Sequence, residues 1–134
     1  MFEGKVSVFI EFLGDYSEIL KTIENCLSIS HIKNIIIYEQ NKEFDSSSEI
    51  FKKYSKQKNI IFLRNDELNS SVRFNDLLNK FDTNFISFIR SGEIYINQSF
   101  NKKIDKLFSD KRIKIISCHS IFTNSNYIFN SISP

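Results

Sequence analysis

The predicted fold starts from one stretch near the N-terminus, Val6-Ser7-Val8-Phe9-Ile10. It is apolar and rich in β-branched residues, as is typical of a strand that is buried on both faces. Gly14 and Asp15 follow it, and Asp15 with Glu18 three positions later has the spacing of a helix-capping box. The stretch therefore predicts a buried strand that leads directly into a capped helix.

Outward from this stretch, strand-like and helical patterns alternate along the chain. Further strands are predicted at 35–38, 59–63, 85–89 and 113–122, with a last strand at 127–132 that pairs in a hairpin across 123–126. The apolar stripes of the intervening helices contain Ile19, Ile23, Leu27; Ile50, Phe51, Tyr54; Phe74, Leu77, Leu78, Phe81; and Phe100, Ile104, Leu107, Phe108. Ser46-Ser47-Ser48-Glu49 is a second capping signature, and it predicts the start of the helix that contains Ile50. Such alternation indicates βαβ units and a parallel sheet with helices on both faces. With right-handed crossovers, the predicted fold is α/β, a three-layer α/β/α sandwich with a mostly parallel sheet, in one domain over residues 1–134.

Composition and charge exclude several classes of protein. The chain has 134 residues, of which 41% are hydrophobic and 25% charged, as is normal for a globular domain. Its 18 basic and 16 acidic residues are scattered and form no basic stripe, so no nucleic-acid partner is expected. No apolar run approaches the ~18 residues of a membrane helix, and no signal peptide is expected, because a strand is predicted from Val6 onward. Two cysteines fit a reducing compartment, and a cytoplasmic location is expected.

Polar residues follow the predicted strands, where parallel sheets bind their ligands. They include Glu11 after the first strand, Glu39 after the second, 64–66 after the third and 90–93 after the fourth. Neither GxGxxG nor GxxxxGK(S/T) follows the first strand, which argues against a dinucleotide-binding or P-loop protein. The sequence therefore predicts a ligand site at this edge without a glycine-rich phosphate loop.

The histidines and cysteines suggest no catalytic pair. Cys118 and His119 are neighbours on a predicted strand, so their side chains point to opposite faces and cannot act as nucleophile and base. His31, in the loop before the second strand, is expected to be a solvated surface residue.

The order of the segments resembles the nucleotide-sugar-binding half of family-2 glycosyltransferases with the GT-A fold. Their first strand reads VSVIIPTYN, against 6–14 here, and their second segment EIIVVDDGSxD compares with 34–41. Their segment that ends in the DxD metal motif matches 74–93 in spacing. The resemblance covers Lys5 to about Phe122 and implies a GT-A (Rossmann-like) domain. The implied activity is transfer of a sugar from a nucleotide-diphospho-sugar, with a UDP-sugar expected, to a hydroxyl of a glycan or lipid.

The resemblance also implies a set of binding residues. Glu39 stands where the family holds the nucleoside, and Glu11 stands in the turn that lines its pocket. Arg90 replaces an aspartate of the DxD motif, so Arg90, with Ser91 beside it, is expected to neutralise the diphosphate. Glu93 is the nearest acid left to contact the manganese or magnesium ion of the family. Because the aspartates are missing, the need for a metal stays open.

Alternatives to an active transferase stay open at this point. The family's catalytic base comes from a later, acceptor-binding half, and residues 112–134 offer no candidate for it. One alternative is a non-catalytic domain of the same fold that serves as a binding or protein-interaction module, for a protein partner or a second copy. The 14 phenylalanines and 5 tyrosines would suit such an interface. A receiver-like domain matches poorly, because Glu11 and Asp66 do not reproduce its acidic pair and phosphorylated aspartate.

Overall fold

The core of the protein is a parallel sheet of four strands. A computed structural model describes residues 6–39, 48–63, 81–112, 121–123 and 129–132. The strands lie in the order β3-β2-β1-β4 and all pair in parallel. Their bounds are β1 Val6–Glu11, β2 Ile32–Tyr38, β3 Ile60–Phe62 and β4 Phe85–Arg90. The helices are α1 Tyr16–Leu27, α2 Glu49–Tyr54 and α3 Asn97–Ser109, and a separate antiparallel pair consists of β5 Ile121–Thr123 and β6 Phe129–Ile132. The α/β class with a mostly parallel sheet is therefore confirmed.

Strand β1 is an inner strand of the sheet, and it is buried over most of its length. The five residues from Val6 to Ile10 are completely buried. Its neighbours are β2 on one edge and β4 on the other. On one face Phe9 packs with Ile36 and Leu63 in a buried cluster, and the ring of Phe81 meets Phe9 edge-on at 6.0 Å. The predicted buried strand is thus the centre of the sheet.

Both predicted helix starts are confirmed by their caps. The Asp15 carboxylate accepts hydrogen bonds from the Ser17 hydroxyl at 2.8 Å and from the Glu18 amide at 3.1 Å. These bonds, that of the Ser17 hydroxyl above all, hold the pKa of Asp15 below its ordinary value. Ser48 caps α2 in the same way, accepting from the amide of Phe51 at 3.2 Å. Both caps satisfy amides that a helix start leaves without a partner.

Two sequence predictions about burial are wrong. Leu27, assigned to the buried stripe of α1, is 41% exposed, whereas Cys26 is completely buried. Around the helix axis, Cys26 lies within about 20° of Ile19 because it follows seven positions later, whereas Leu27, eight positions later, lies about 80° away. His31, expected in solvent, is buried, and its carbonyl accepts a hydrogen bond from the Val6 amide at 2.9 Å, which places it beside the start of β1.

Strand β4 is also less covered than its apolar sequence indicates. Ile86 is 42% and Phe88 60% exposed, while Ile89 on the opposite face is buried. In the described sheet β4 is the last strand and pairs only with β1. The face that carries Ile86 and Phe88 is therefore less covered than the prediction of helices on both faces implies.

The remaining elements are described only in part. Most of the helix predicted over 74–81, most of the strand predicted over 113–122 and the turn residues 64–66 lie outside the described residues. The antiparallel pairing predicted for the last two strands is confirmed by β5 and β6, but Thr123, predicted in the turn, belongs to β5 and pairs with Phe129, and 124–128 lie outside the described residues. The chain divides into two compact units, residues 1–101 and 102–134. This division does not test the single domain predicted over 1–134, which stays a prediction. Among the described helices, none combines the length and apolarity needed to cross a membrane.

Candidate functional site

The strand order places a topological switch between β1 and β4. From β1 the chain moves outward to β2 and β3, and then returns to the other side of β1 to form β4. Connections that leave in opposite directions open a crevice beyond the carboxyl ends of the two strands, where such sheets bind ligands. The last residues of the two strands, Glu11 and Arg90, are direct register partners. These two side chains therefore lie at the switch point, where such a crevice is expected.

Glu11 and Arg90 form an ion pair at this point. Arg90 Nε lies 3.4 Å from Glu11 Oε2. This distance exceeds that of an ordinary hydrogen bond, so the attraction is mainly Coulombic. The Glu11 side chain is only 14% exposed, but that of Arg90 is 67% exposed. Because one partner is so open to solvent, the pair contributes little to stability, and the guanidinium remains accessible from outside.

Tyr38 extends this pair to a row of three side chains. It ends β2 and is the register partner of Glu11 on the side away from Arg90. Burial raises the pKa of its hydroxyl; the negative charge of Glu11 raises it further, and Arg90 opposes the change. With strands about 4.8 Å apart, the row spans about 10 Å between its outer strands. We call Arg90, Glu11 and Tyr38 the edge row.

A tight turn after β4 fixes the backbone of Arg90. The Glu93 amide donates to the Arg90 carbonyl at 3.0 Å, and Gly92 has a φ of +91°. A positive φ at the third position of a four-residue turn is typical of type II. One oxygen of the Glu93 carboxylate accepts the Arg90 amide at 2.7 Å. The acid predicted to contact a metal thus stabilises the turn in the described structure.

Ser91 connects this turn to the end of β1. Its hydroxyl accepts the Leu13 amide at 3.0 Å, and its own amide donates to the Glu11 carbonyl at 2.8 Å. Ser91 is buried. The structure therefore brings Glu11, Arg90, Ser91 and Glu93 together, whereas Glu39 lies at the same edge one strand away, directly after Tyr38.

Two residues of α1 that sequence analysis did not select form hydrogen bonds with the backbone of the turn after β4 and of the residues that follow it. Thr22 Oγ1 accepts the Gly92 amide and donates to the Glu93 carbonyl, both at 2.9 Å. The amide of Asn25 exchanges two hydrogen bonds with the backbone of Tyr95, at 3.0 and 2.8 Å. We call Thr22 and Asn25 the α1 clamp. The signal in the sequence is their spacing, because residues at i and i+3 are neighbours on one side of a helix.

In the described turns at the carboxyl edge of the sheet, one basic side chain, that of Arg90, can pair with an anionic ligand. In the described parts of the turns, 11–15, 38–39, 63 and 90–94, Arg90 is the only basic residue, against Glu11, Asp15, Glu39 and Glu93. Helix N-termini often bind phosphate, but the start of α1 is occupied by the Asp15 carboxylate. Within the described ranges, no group of three or more His, Cys, Asp or Glu side chains could hold a metal ion.

Comparison with known proteins gives no assignment: neither the models of protein families nor the curated proteins contain a match to this chain.

Proposed function

We propose that the chain is the nucleotide-diphospho-sugar-binding domain of a glycosyltransferase with a GT-A-like, three-layer α/β/α fold. One observation carries the proposal: the Glu11–Arg90 pair stands at the switch between β1 and β4. The reaction would transfer a sugar from a nucleotide-diphospho-sugar, a UDP-sugar in the first place, to a hydroxyl of a glycan or lipid.

Arg90 is the group proposed to bind the diphosphate. Its guanidinium is planar, permanently charged and able to donate two parallel hydrogen bonds to phosphate oxygens. Its side chain is 67% exposed and lies at the carboxyl end of β4, at the switch point of the sheet. Arg90 would neutralise charge that develops on the leaving nucleoside diphosphate as the sugar departs.

The nucleoside is proposed to lie toward β2. Tyr38 lies two strands from Arg90, about 10 Å across the sheet, which suits the length of a nucleoside diphosphate. Its partly buried ring could stack on the base, and the Glu39 carboxylate could accept a hydrogen bond from a ribose hydroxyl or a base N–H. The diphosphate would then lie at Arg90 and the nucleoside at Tyr38 and Glu39, at the other end of the edge row.

The described residues do not fit the bound manganese or magnesium ion of the resembling family. Hard cations prefer several carboxylate and carbonyl oxygens. Here an oxygen of Glu93 already accepts the Arg90 amide, and the guanidinium of Arg90 stands where the family has an aspartate. We therefore derive no step of the reaction through a metal.

Binding of UDP, measured by calorimetry in the presence of EDTA and again with manganese, tests the proposal. We expect binding that survives the chelator and that weakens more than tenfold in Arg90→Ala. Arg112→Ala is the matched control, because Arg112 is 90% exposed and pairs with Asp110 within its own unit. Equal affinity in the wild type and Arg90→Ala would exclude this role for Arg90.

A second candidate is a non-catalytic interaction domain of the same fold. The exposed Ile86 and Phe88 on β4 favour it, since adjoining apolar side chains in solvent often mark protein interfaces. This candidate predicts no UDP binding under either condition. It also predicts a concentration-dependent dimer in sedimentation experiments that Phe88→Ser converts to monomer.

A further inference from the structure

The acids at the carboxyl edge of the sheet differ in burial. Asp15 and Glu93 are exposed and Glu39 is half-buried. Glu11, on the central strand, has a side chain only 14% exposed, and its charge meets the exposed guanidinium of Arg90. A carboxylate held on a rigid, buried strand is a fixed point of negative charge for a long side chain beside it.

Arg90 needs such a fixed point. A long exposed arginine loses rotamer entropy when a ligand orders it, and this loss weakens binding. The contact at 3.4 Å uses Nε of the guanidinium. Among the described residues, none forms a hydrogen bond or an ion pair with Nη1 or Nη2 of Arg90. These two nitrogens form an edge that can donate in parallel to phosphate oxygens.

We infer that Glu11 is a positioning residue: its carboxylate holds Arg90 through Nε, so that Nη1 and Nη2 are ordered for the phosphate oxygens of the ligand. Glu11 itself does not contact the ligand. The role of Nη1 and Nη2 rests on the proposed nucleotide-sugar function, whereas the hold of Glu11 on Arg90 in the free protein does not.

A double-mutant cycle on UDP binding tests the inference. Glu11→Gln keeps the shape of the side chain and removes its charge. We expect it to weaken UDP binding about fivefold, in the range of couplings between contacting residues. In an Arg90→Ala background the same substitution leaves the affinity unchanged or tightens it, because only repulsion of the phosphates is then removed. Glu24→Gln, at an exposed acid 3.8 Å from Lys53, is the matched control and leaves the affinity unchanged.

Two results of the cycle would overturn the inference. If the Glu11→Gln variant binds UDP as tightly as the wild type, or more tightly, the Glu11 carboxylate does not position Arg90 for the ligand. Equal weakening with and without Arg90 would show that Glu11 contacts the ligand directly.

Motion of the Arg90 side chain gives a readout that does not depend on UDP. We expect ¹⁵N relaxation of Arg90 Nε in the free protein to show an ordered group, and Glu11→Gln to make it markedly more mobile while the backbone spectrum stays unchanged. Equal mobility in the two proteins contradicts the inference. If the wild type binds no UDP, the proposed function fails, and this measurement still decides whether Glu11 positions Arg90.

Discussion

The α1 clamp makes a quantitative prediction about stability. Thr22 is completely buried, and its hydroxyl satisfies both the Gly92 amide and the Glu93 carbonyl at 2.9 Å. Thr22→Val keeps the shape of the side chain and removes both bonds, together with a longer contact of 3.3 Å between the hydroxyl and the Glu18 carbonyl. Each bond contributes about 1 kcal/mol, and the Gly92 amide keeps only a longer bond of 3.3 Å to the Glu18 carbonyl. We therefore expect the free energy of unfolding to fall by about 2 kcal/mol and the melting temperature by about 8 °C.

Urea denaturation of the wild type, Thr22→Val and Thr22→Ser measures this effect. Thr22→Ser keeps the hydroxyl and loses one buried methyl group, for which we expect about 1 kcal/mol. Amide hydrogen exchange adds a local reading, since Gly92 should lose protection in Thr22→Val and keep it in Thr22→Ser. The reasoning is refuted if Thr22→Val lies within about 0.5 kcal/mol of the wild type, or if Thr22→Ser is destabilised as much as Thr22→Val.

Three further predictions concern single residues. Gly92→Ala should lower the free energy of unfolding by about 1–2 kcal/mol, because φ is +91° and the added Cβ would lie 2.7 Å from a side-chain oxygen. Gly14→Ala, at φ +100° with open space around it, should cost less in the same denaturation series. The hydrogen bond from the Ser17 hydroxyl lowers the pKa of Asp15 below its ordinary value of 3.8. The ionised Asp15 cap therefore stabilises the fold above pH 3.8, and this stabilisation is lost as the pH falls through the lower pKa of the folded state. Asp15→Asn should therefore flatten the acid limb of a stability–pH curve, and an unchanged limb would contradict this. Burial raises the pKa of Cys26 to about 12, so mass spectrometry should find it unlabelled by iodoacetamide in the native protein and labelled in urea; native labelling would exclude a buried thiol.

The parts of the fold that local chemistry determines were predictable from the sequence. The five residues from Val6 to Ile10 are apolar or small over a strand's length, so their burial follows from composition. The caps of α1 and α2 depend on Asp15 and Ser48, each within three residues of the amide that it accepts. No distant contact is needed for either feature, and both predictions are confirmed.

The edge row depends on information that local patterns do not contain. Glu11 and Arg90 meet because β4 pairs with β1 in one particular register, across 79 positions (90 − 11) of sequence. A slip of one residue would send the Arg90 side chain to the other face of the sheet. The sequence predicted that both residues lie at strand ends, but their pairing required the strand order.

The α1 clamp and His31 were missed for a related reason. A polar residue on a helix usually faces solvent, yet Thr22 is completely buried because its hydroxyl bonds to the turn after β4. His31 is buried by its position beside the start of β1. In both cases a distant segment supplies the partner that permits burial.

The central position of β1 has a consequence for how the protein is made. One edge of β1 pairs with β2, which begins at Ile32, but its other edge pairs with β4, which begins at Phe85. A nascent chain on the ribosome therefore carries an incomplete sheet until β4 emerges, and an exposed strand edge invites pairing with other chains. Glu11 finds Arg90 only when that edge closes. Assembly of the candidate site and completion of the described sheet are thus the same folding event.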